Sequence, residues 1–217
     1  MNRMLTLEKL QVSNSNGLLV DLNVMINPGE TLSIMGPSGS GKSTALYALL
    51  GALPAGFKAS GRVLLNVQDV SRLPPHRRKI GLLFQDDVLF PHLSVGGNLA
   101  FAIPPRLEGR ELRSAAVSAA LAQAGLEGFE DRDPATLSGG QRARVALMRA
   151  LLAEPAALLL DEPFSRLDRE MRNQIRGFVF ETIRTRNIPS ILVTHDHEDA
   201  IAAGGKIISP LGETLSP

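Results

Sequence analysis

Apolar and polar residues alternate near the N-terminus, whereas later apolar residues gather into short continuous runs. The alternating apolar positions are Leu18, Val20, Leu22, Val24 and Ile26. Alternation of this kind is typical of antiparallel strands with one buried face, so we expect an antiparallel β portion over residues 5–26. The continuous runs cover residues 31–35, 80–84, 157–160 and 190–193. Short apolar runs indicate strands that are buried on both faces, as in a parallel sheet.

Segments of helical character separate these runs. Residues 45–50, 142–152 and 198–203 are rich in helix formers, and the alanine-rich segment 111–124 stops at Gly125. A last short strand is expected over 206–209. Strands that alternate with helices predict an α/β fold with a mostly parallel sheet, an antiparallel β portion and an α-helical subdomain. At 217 residues with 44% hydrophobic content, the chain can bury a substantial core.

A glycine-rich loop follows the strand at 31–35. Its residues are Gly36, Pro37, Ser38, Gly39, Ser40, Gly41, Lys42, Ser43 and Thr44. Glycines let successive backbone N–H groups point into one concavity, and the next helix presents its positive N-terminal end there. Lys42 would reach the β- and γ-phosphate oxygens, and Ser43 would offer a hydroxyl to Mg²⁺. The pattern predicts a cradle for ATP or GTP, because a strand precedes it and a helix follows.

Two carboxylates, Asp161 and Glu162, stand at the end of the apolar run 157–160. Alternation along a strand sends neighbouring side chains in different directions, so one carboxylate can face the metal and the other a water. We assign Asp161 to Mg²⁺, directly or through water. Glu162 is the candidate general base for attack on the γ-phosphoryl group.

A second helix start follows Leu137. Ser138, Gly139, Gly140 and Gln141 precede the helical run 142–152 and expose amides and a hydroxyl. One chain then has two half-sites for phosphate. The economical arrangement is a head-to-tail homodimer in which each such helix covers the phosphate loop of its partner.

In this order the motifs resemble the nucleotide-binding domain of ATP-binding-cassette (ABC) transporters, above all the short ATPase subunits of bacterial importers. The resemblance covers almost the whole chain and implies a P-loop NTPase core of ABC type. It implies a single ABC ATPase domain over residues 1–217, with a catalytic core at 1–85 and 155–217 and a helical subdomain at 86–154 that carries the signature motif.

Further residue roles are implied by that resemblance alone. Gln85 falls at the glutamine loop, which contacts Mg²⁺ and the attacking water, and residues 165–168 fall at the D-loop with Asp168. His195 falls at the switch histidine, which contacts the γ-phosphate. Thr44 would contact the α-phosphate, and residues 138–141 would contact the nucleotide of the partner. Two departures stand out. Residues 12–17 lack the aromatic side chain that usually stacks on adenine, and Arg166 replaces a small D-loop residue.

The resemblance implies ATP and Mg²⁺ as cofactors and an ATPase that powers small-solute import through separate permease subunits. The partners would be a second copy, integral-membrane permeases and a periplasmic or extracellular solute-binding protein. The alternative is a soluble ABC-type ATPase that acts on nucleic acid or ribosomes. A net charge of +1 gives no electrostatic case for nucleic acid. The chain has no cysteine, and its N-terminal apolar run is too short for a signal peptide, so we expect a cytoplasmic protein on the inner face of the membrane.

The uncharged stretch 88–105 contains prolines and glycines that exclude a spanning helix. In related importers a permease helix docks after the glutamine loop. The apolar side chains of the stretch are therefore either permease contacts or core of the helical subdomain. They are Phe90, Leu93, Val95, Leu99 and Phe101. The arginines of 77–79 and 166–176 are expected to lie on solvated faces.

Overall fold

The computed structural model describes residues 3–86 and 88–216 and divides the chain into two compact units. The first unit comprises the residues up to Leu82, Ala156–Glu162 and the residues from Arg176 onward. The second unit comprises Leu83–Pro155 and Pro163–Ile175. This division differs from the predicted one mainly in residues 163–175, which the prediction left with the core.

An antiparallel sheet in the first unit contains β1 (Leu5–Asn14), β2 (Gly17–Ile26), β4 (Lys58–Leu65) and β5 (Gln68–Asp69), in the order β2-β1-β4-β5. The predicted antiparallel portion at 5–26 is confirmed, since β1 pairs antiparallel with β2. Its other partner, β4, was not predicted. The first five residues of β4 are all exposed, so this strand lacks the alternation that would have revealed it.

The second sheet has the strand order β6-β7-β8-β3-β9. Its strands are β3 (Thr31–Met35), β6 (Ile80–Leu83), β7 (Ala157–Asp161), β8 (Ser190–Thr194) and β9 (Ile207–Ile208). The pairs β3 with β8, β7 with β8 and β3 with β9 are all parallel. The predicted mostly parallel sheet is confirmed. Parallel pairing brings the carboxyl ends of β3, β7 and β8 to one edge, so the segments that follow these strands start side by side.

Helix α1 (Lys42–Leu50) contacts β1, β2 and β7, and these contacts lie within the main core of the first unit. Leu46 and Leu49 of this helix are 2% and 0% exposed. The unit also contains the short helix α6 (His197–Ala203) and the C-terminal part of α5 (Arg169–Thr185). Burial of its apolar face fixes α1, and with it the loop that enters the helix.

The second unit contains α2 (Val95–Ala102), α3 (Arg110–Gln123) and α4 (Gly139–Leu152), which contact one another in pairs. Val95 and Leu99 are completely buried, so for these two the core reading is correct and the permease-contact reading is wrong. Phe101 is 69% exposed. Within residues 3–86 and 88–216, no helix combines the length and apolar character that crossing a membrane requires.

Two arginines expected on solvated faces are instead covered: Arg78 is buried, and Arg176 is mostly shielded from solvent. Arg78 is 5% exposed and donates hydrogen bonds to backbone carbonyls, among them those of Ala48 and Leu49 at 3.0 and 2.8 Å. The Arg176 side chain is 14% exposed and pairs with Asp199. The expectation was wrong for both, because runs of basic residues reveal charge but not which elements will cover them.

Candidate active site

The phosphate loop joins β3 to α1 and depends on glycine at its last turn. Gly41 is the N-cap of α1 in the left-handed region, with φ 100°. A Cβ atom at this position would lie 2.8 Å from the carbonyl oxygen of Leu19 on β2. No side chain caps the helix, and its first turn has no acidic residue. The N-terminal end of α1 is therefore uncapped and positively polarised, which suits the binding of a phosphate.

Lys42 is the first residue of α1 and is 6% exposed. Its Nζ atom donates hydrogen bonds to the carbonyl oxygens of Gly36 and Pro37, at 2.8 and 3.0 Å. The ammonium group is thus held inside the phosphate loop by two backbone carbonyls. Ser43 is exposed beside it, and Thr44 is partly buried.

Asp161 ends β7, and Glu162 follows it in a strained backbone conformation with φ 45°. A positive φ in a non-glycine residue costs about 1–3 kcal/mol and persists where the surrounding structure enforces it. Here the Glu162 N–H donates to the carbonyl oxygen of Val193 on β8, at 2.9 Å. Burial and the adjacent Glu162 charge raise the pKa of Asp161, and Lys42 offsets part of that rise.

His195 follows β8 at the same edge of the sheet. Its Nδ1 atom lies 3.1 Å from Oε2 of Glu162, and its side chain is 61% exposed. The structure therefore brings together three predicted segments: the start of α1, the carboxylates after β7 and the histidine after β8. An ammonium, two carboxylates and an imidazole lie next to a helix N-terminus, which is a set of groups suited to binding and hydrolysing a phosphoanhydride.

Four predicted residues of the signature segment start α4 in the second unit. Ser138 and Gln141 form a reciprocal capping box: Ser138 Oγ accepts from the Gln141 N–H at 3.3 Å, and Gln141 Oε1 accepts from the Ser138 N–H at 2.9 Å. A Cβ atom at Gly140 would lie 2.8 Å from Met171 Sδ, whereas Gly139 has 3.5 Å to Leu167. A larger residue at position 140 would have to displace the flexible Met171 side chain.

Gln85 and the D-loop also belong to the second unit. Gln85 is exposed and lines a cavity of about 380 Å³ together with Asp86, Gly139 and Arg166. Arg166, which departs from the usual small residue, forms an ion pair with Asp86. Asp168 Oδ1 accepts a hydrogen bond from the Met171 N–H at 3.0 Å, which caps the first turn of α5.

Sequence reasoning missed Asp199, which is 2% exposed on α6 and follows His195 by four residues in the sequence. One signal could have found it. Asp199 lies beside Ala200 and four residues before Ala203, so a carboxylate occupies the apolar side of a short helix. A charge in such a position needs a partner, and Arg176 supplies one.

Comparison with known proteins agrees with this arrangement. The family model for ABC transporters matches residues 19–165. An uncharacterized ABC transporter ATP-binding protein of Escherichia coli, YnjD, is 52% identical over 185 residues, with 85% of each chain covered. The thiamine import ATP-binding protein ThiQ of Chelativorans is 39% identical, covering 93% of this chain and 81% of its own.

A longer relative and a solved structure are also similar to this chain. The spermidine/putrescine import ATP-binding protein PotA of Frankia alni is 45% identical over 86% of this chain, which spans only 39% of PotA. The solved structure of cbiO1 from Clostridium perfringens, part of the transporter complex cbiONQ, has a TM-score of 0.84 and 30% identity. It covers all of this chain and 88% of its own. With the family model matching more than half of its residues, the chain belongs to the ABC transporter family as an ATP-binding protein.

Proposed function

We propose that this chain hydrolyses ATP to power a bacterial importer of small solutes. Relatives that are 39–45% identical are import proteins for thiamine and for spermidine or putrescine, both small organic solutes. Other subunits would select the particular solute.

We assign hydrolysis to Glu162 on the basis of its position. Its strained backbone and its contact with His195 hold a carboxylate at the sheet edge that also bears the phosphate loop. Glu162 would orient and deprotonate the attacking water, and His195 would contact the γ-phosphate. Lys42 would exchange its two loop carbonyls for phosphate oxygens, which are stronger partners for an ammonium group.

Mg²⁺ fits the oxygen donors of this site. The partly buried Asp161 carboxylate at the end of β7 is a hard ligand, and its raised pKa shows that its charge lacks full compensation in the protein alone. Ser43 and Gln85 would add a hydroxyl and an amide oxygen. When bound, the ion would neutralise phosphate charge.

Two substitutions test the assignment of hydrolysis. Glu162→Gln keeps the shape of the side chain but removes the charge that orients water. We expect nucleotide affinity to stay within about threefold while kcat falls by at least about 100-fold. Lys42→Ala, the control, should instead weaken ATP binding itself. Steady-state hydrolysis and binding of a fluorescent ATP analogue are measured on the same preparations, and hydrolysis at the wild-type rate by Glu162→Gln would remove Glu162 from this role.

A head-to-tail homodimer would complete each site. The Ser138 hydroxyl accepts a hydrogen bond within its capping box, but its proton can still be donated to a phosphate of the partner's nucleotide. Gly139, Gly140 and Gln141 would add backbone N–H groups of the α4 N-terminus. Asp168 would then lie in the D-loop at the dimer interface.

Membrane coupling would require permease subunits, with the chain attached to the cytoplasmic face of the membrane and a solute-binding protein outside. Phe84, Val88 and Phe101 of the second unit are 45%, 53% and 69% exposed, an apolar set that a permease segment could cover. Affinity purification of the tagged chain from detergent-solubilised cells should recover integral-membrane proteins. Recovery of ribosomal particles or nucleic acid without membrane proteins would support the alternative function instead.

A further inference from the structure

Arg176 and Asp199 form an ion pair that is mostly shielded from solvent and is linked through Thr194 to the turn that carries His195. Arg176 on α5 places Nη1 3.2 Å from Oδ1 of Asp199 on α6, and 3.7 Å from Oε2 of Glu198. The side chains of Arg176 and Asp199 are 14% and 3% exposed, whereas that of Glu198 is 63% exposed. The pair with Asp199 is therefore the one that solvent screens least.

Asp199 reaches the histidine turn through Thr194, the last residue of β8, which is 2% exposed. Thr194 Oγ1 donates to Oδ2 of Asp199 at 3.5 Å and accepts from the Asp196 N–H at 3.0 Å. Asp196 Oδ1 in turn accepts from the Glu198 N–H at 2.8 Å. The residues on both sides of His195 are thus tied to one network, while the imidazole itself points to Glu162.

The network needs the ion pair for two physical reasons. Asp199 is almost fully buried, and a buried carboxylate is strongly unfavourable without a cation. Helix α6 has only seven residues, too few to be stable alone, so its position depends on contacts with other elements. Arg176 joins α6 to the longer helix α5 and so fixes the base of the turn.

We propose that Arg176 and Asp199 are positioning residues for His195. They hold the turn from Thr194 to Asp196 so that the imidazole stays within 3.1 Å of the Glu162 carboxylate. Because Arg176 and Asp199 position His195, their loss lowers kcat. Because neither side chain is assigned a contact with nucleotide, their loss leaves ATP affinity nearly unchanged. The inference rests on the proposed ATPase function.

The first test removes both charges together, since either single change takes from the other charge its nearest oppositely charged partner. Arg176→Met with Asp199→Leu replaces the pair by apolar side chains. We expect a folded protein that binds ATP within about threefold of wild type but has kcat lowered by about tenfold or more, the scale of catalytic losses from small misplacements. A wild-type kcat in this variant would overturn the proposal. In a separate variant with Asp199 intact, Arg176→Lys should retain more activity than the double variant, because it keeps the positive charge.

The second test asks whether the effect passes through His195. In a His195→Ala background, removal of the pair should cause almost no further loss of kcat, because the residue that it positions is absent. Thr182→Ala is the matched control: Thr182 is buried on the same helix α5 and donates to the Phe178 carbonyl oxygen. Its small effect should be the same with or without His195. If pair removal lowers kcat by the same factor in the His195→Ala background as in the wild type, the positioning role is refuted.

A third measurement needs no hydrolysis and separates this inference from the proposed function. The chain has four histidines, and the His195 ring signal is identified by its absence from the NMR spectrum of His195→Ala. Glu162→Gln should shift that signal in the wild type and have little effect once the pair is removed. Equal shifts in both backgrounds would show that His195 keeps its place without the pair, whether or not the chain is an ATPase.

Discussion

Replacing Arg78 by methionine removes a guanidinium that holds the end of α1 against the segment before β6. Arg78 Nε donates to the Leu73 carbonyl oxygen at 2.8 Å, Nη1 donates to those of Ala48 and Leu49, and Nη2 donates to that of Ser71. A positive charge at the C-terminal end of α1 is also favourable for the helix dipole.

Hydrogen bonds to a charged group contribute about 1.5–3 kcal/mol each, but they do not add fully, and burial of the guanidinium offsets part of the sum. Burial also lowers the pKa of Arg78, in agreement with an environment that disfavours its charge. Four bonds reduced in this way give a loss of about 3 kcal/mol for Arg78→Met. In a chain of this size, that loss lowers Tm by about 6–12 °C.

Urea and thermal unfolding measure this loss, with two comparison variants. Arg78→Lys keeps a charge but reaches fewer carbonyls, so its loss should be about half. Arg77→Met changes an exposed neighbour and should alter stability by less than about 0.5 kcal/mol. If Arg78→Met were as stable as Arg77→Met, the hydrogen bonds of Arg78 would contribute nothing net, and the reasoning would be refuted.

Two further predictions concern the site. The folded pKa of Asp161 lies above its reference value of 3.8, so the folded state holds more protons just above pH 3.8, and its stability falls as pH rises through the folded pKa. Asp161→Asn should therefore raise Tm at pH 7 without nucleotide or metal and lose this advantage below pH 3.8; a lower Tm at pH 7 contradicts the argument. Glu162→Gln should dimerise with Mg-ATP in sedimentation runs, and adding Ser138→Arg should abolish the dimer, since bulk replaces a hydroxyl that must approach phosphate. Persistence of the dimer would exclude the head-to-tail arrangement.

The sequence by itself determined the elements that local chemistry specifies. The glycine-rich loop, the helix after it and the helix start at Ser138 were predicted from short patterns, because turns and caps depend mainly on neighbouring residues. The structure starts α1 at Lys42, earlier than the predicted run 45–50, and Ser138 caps α4. The α/β fold class followed from the alternation of apolar runs and helices, and the structure confirms it. The roles assigned to the site residues remain predictions.

Only the tertiary structure decided which segments meet. The pairing of β1 with β4 and the position of β3 between β8 and β9 join segments that are distant in sequence, and no local pattern encodes them. For the same reason, the sequence could not show that Arg78 is buried and that Arg176 is mostly shielded from solvent. A guanidinium is stable in water or against carbonyls and carboxylates, so its sequence neighbours do not determine its environment. The elements packed around each arginine determine its environment. Around Arg176 they include Asp199, which accepts a hydrogen bond from Thr194, the residue before His195.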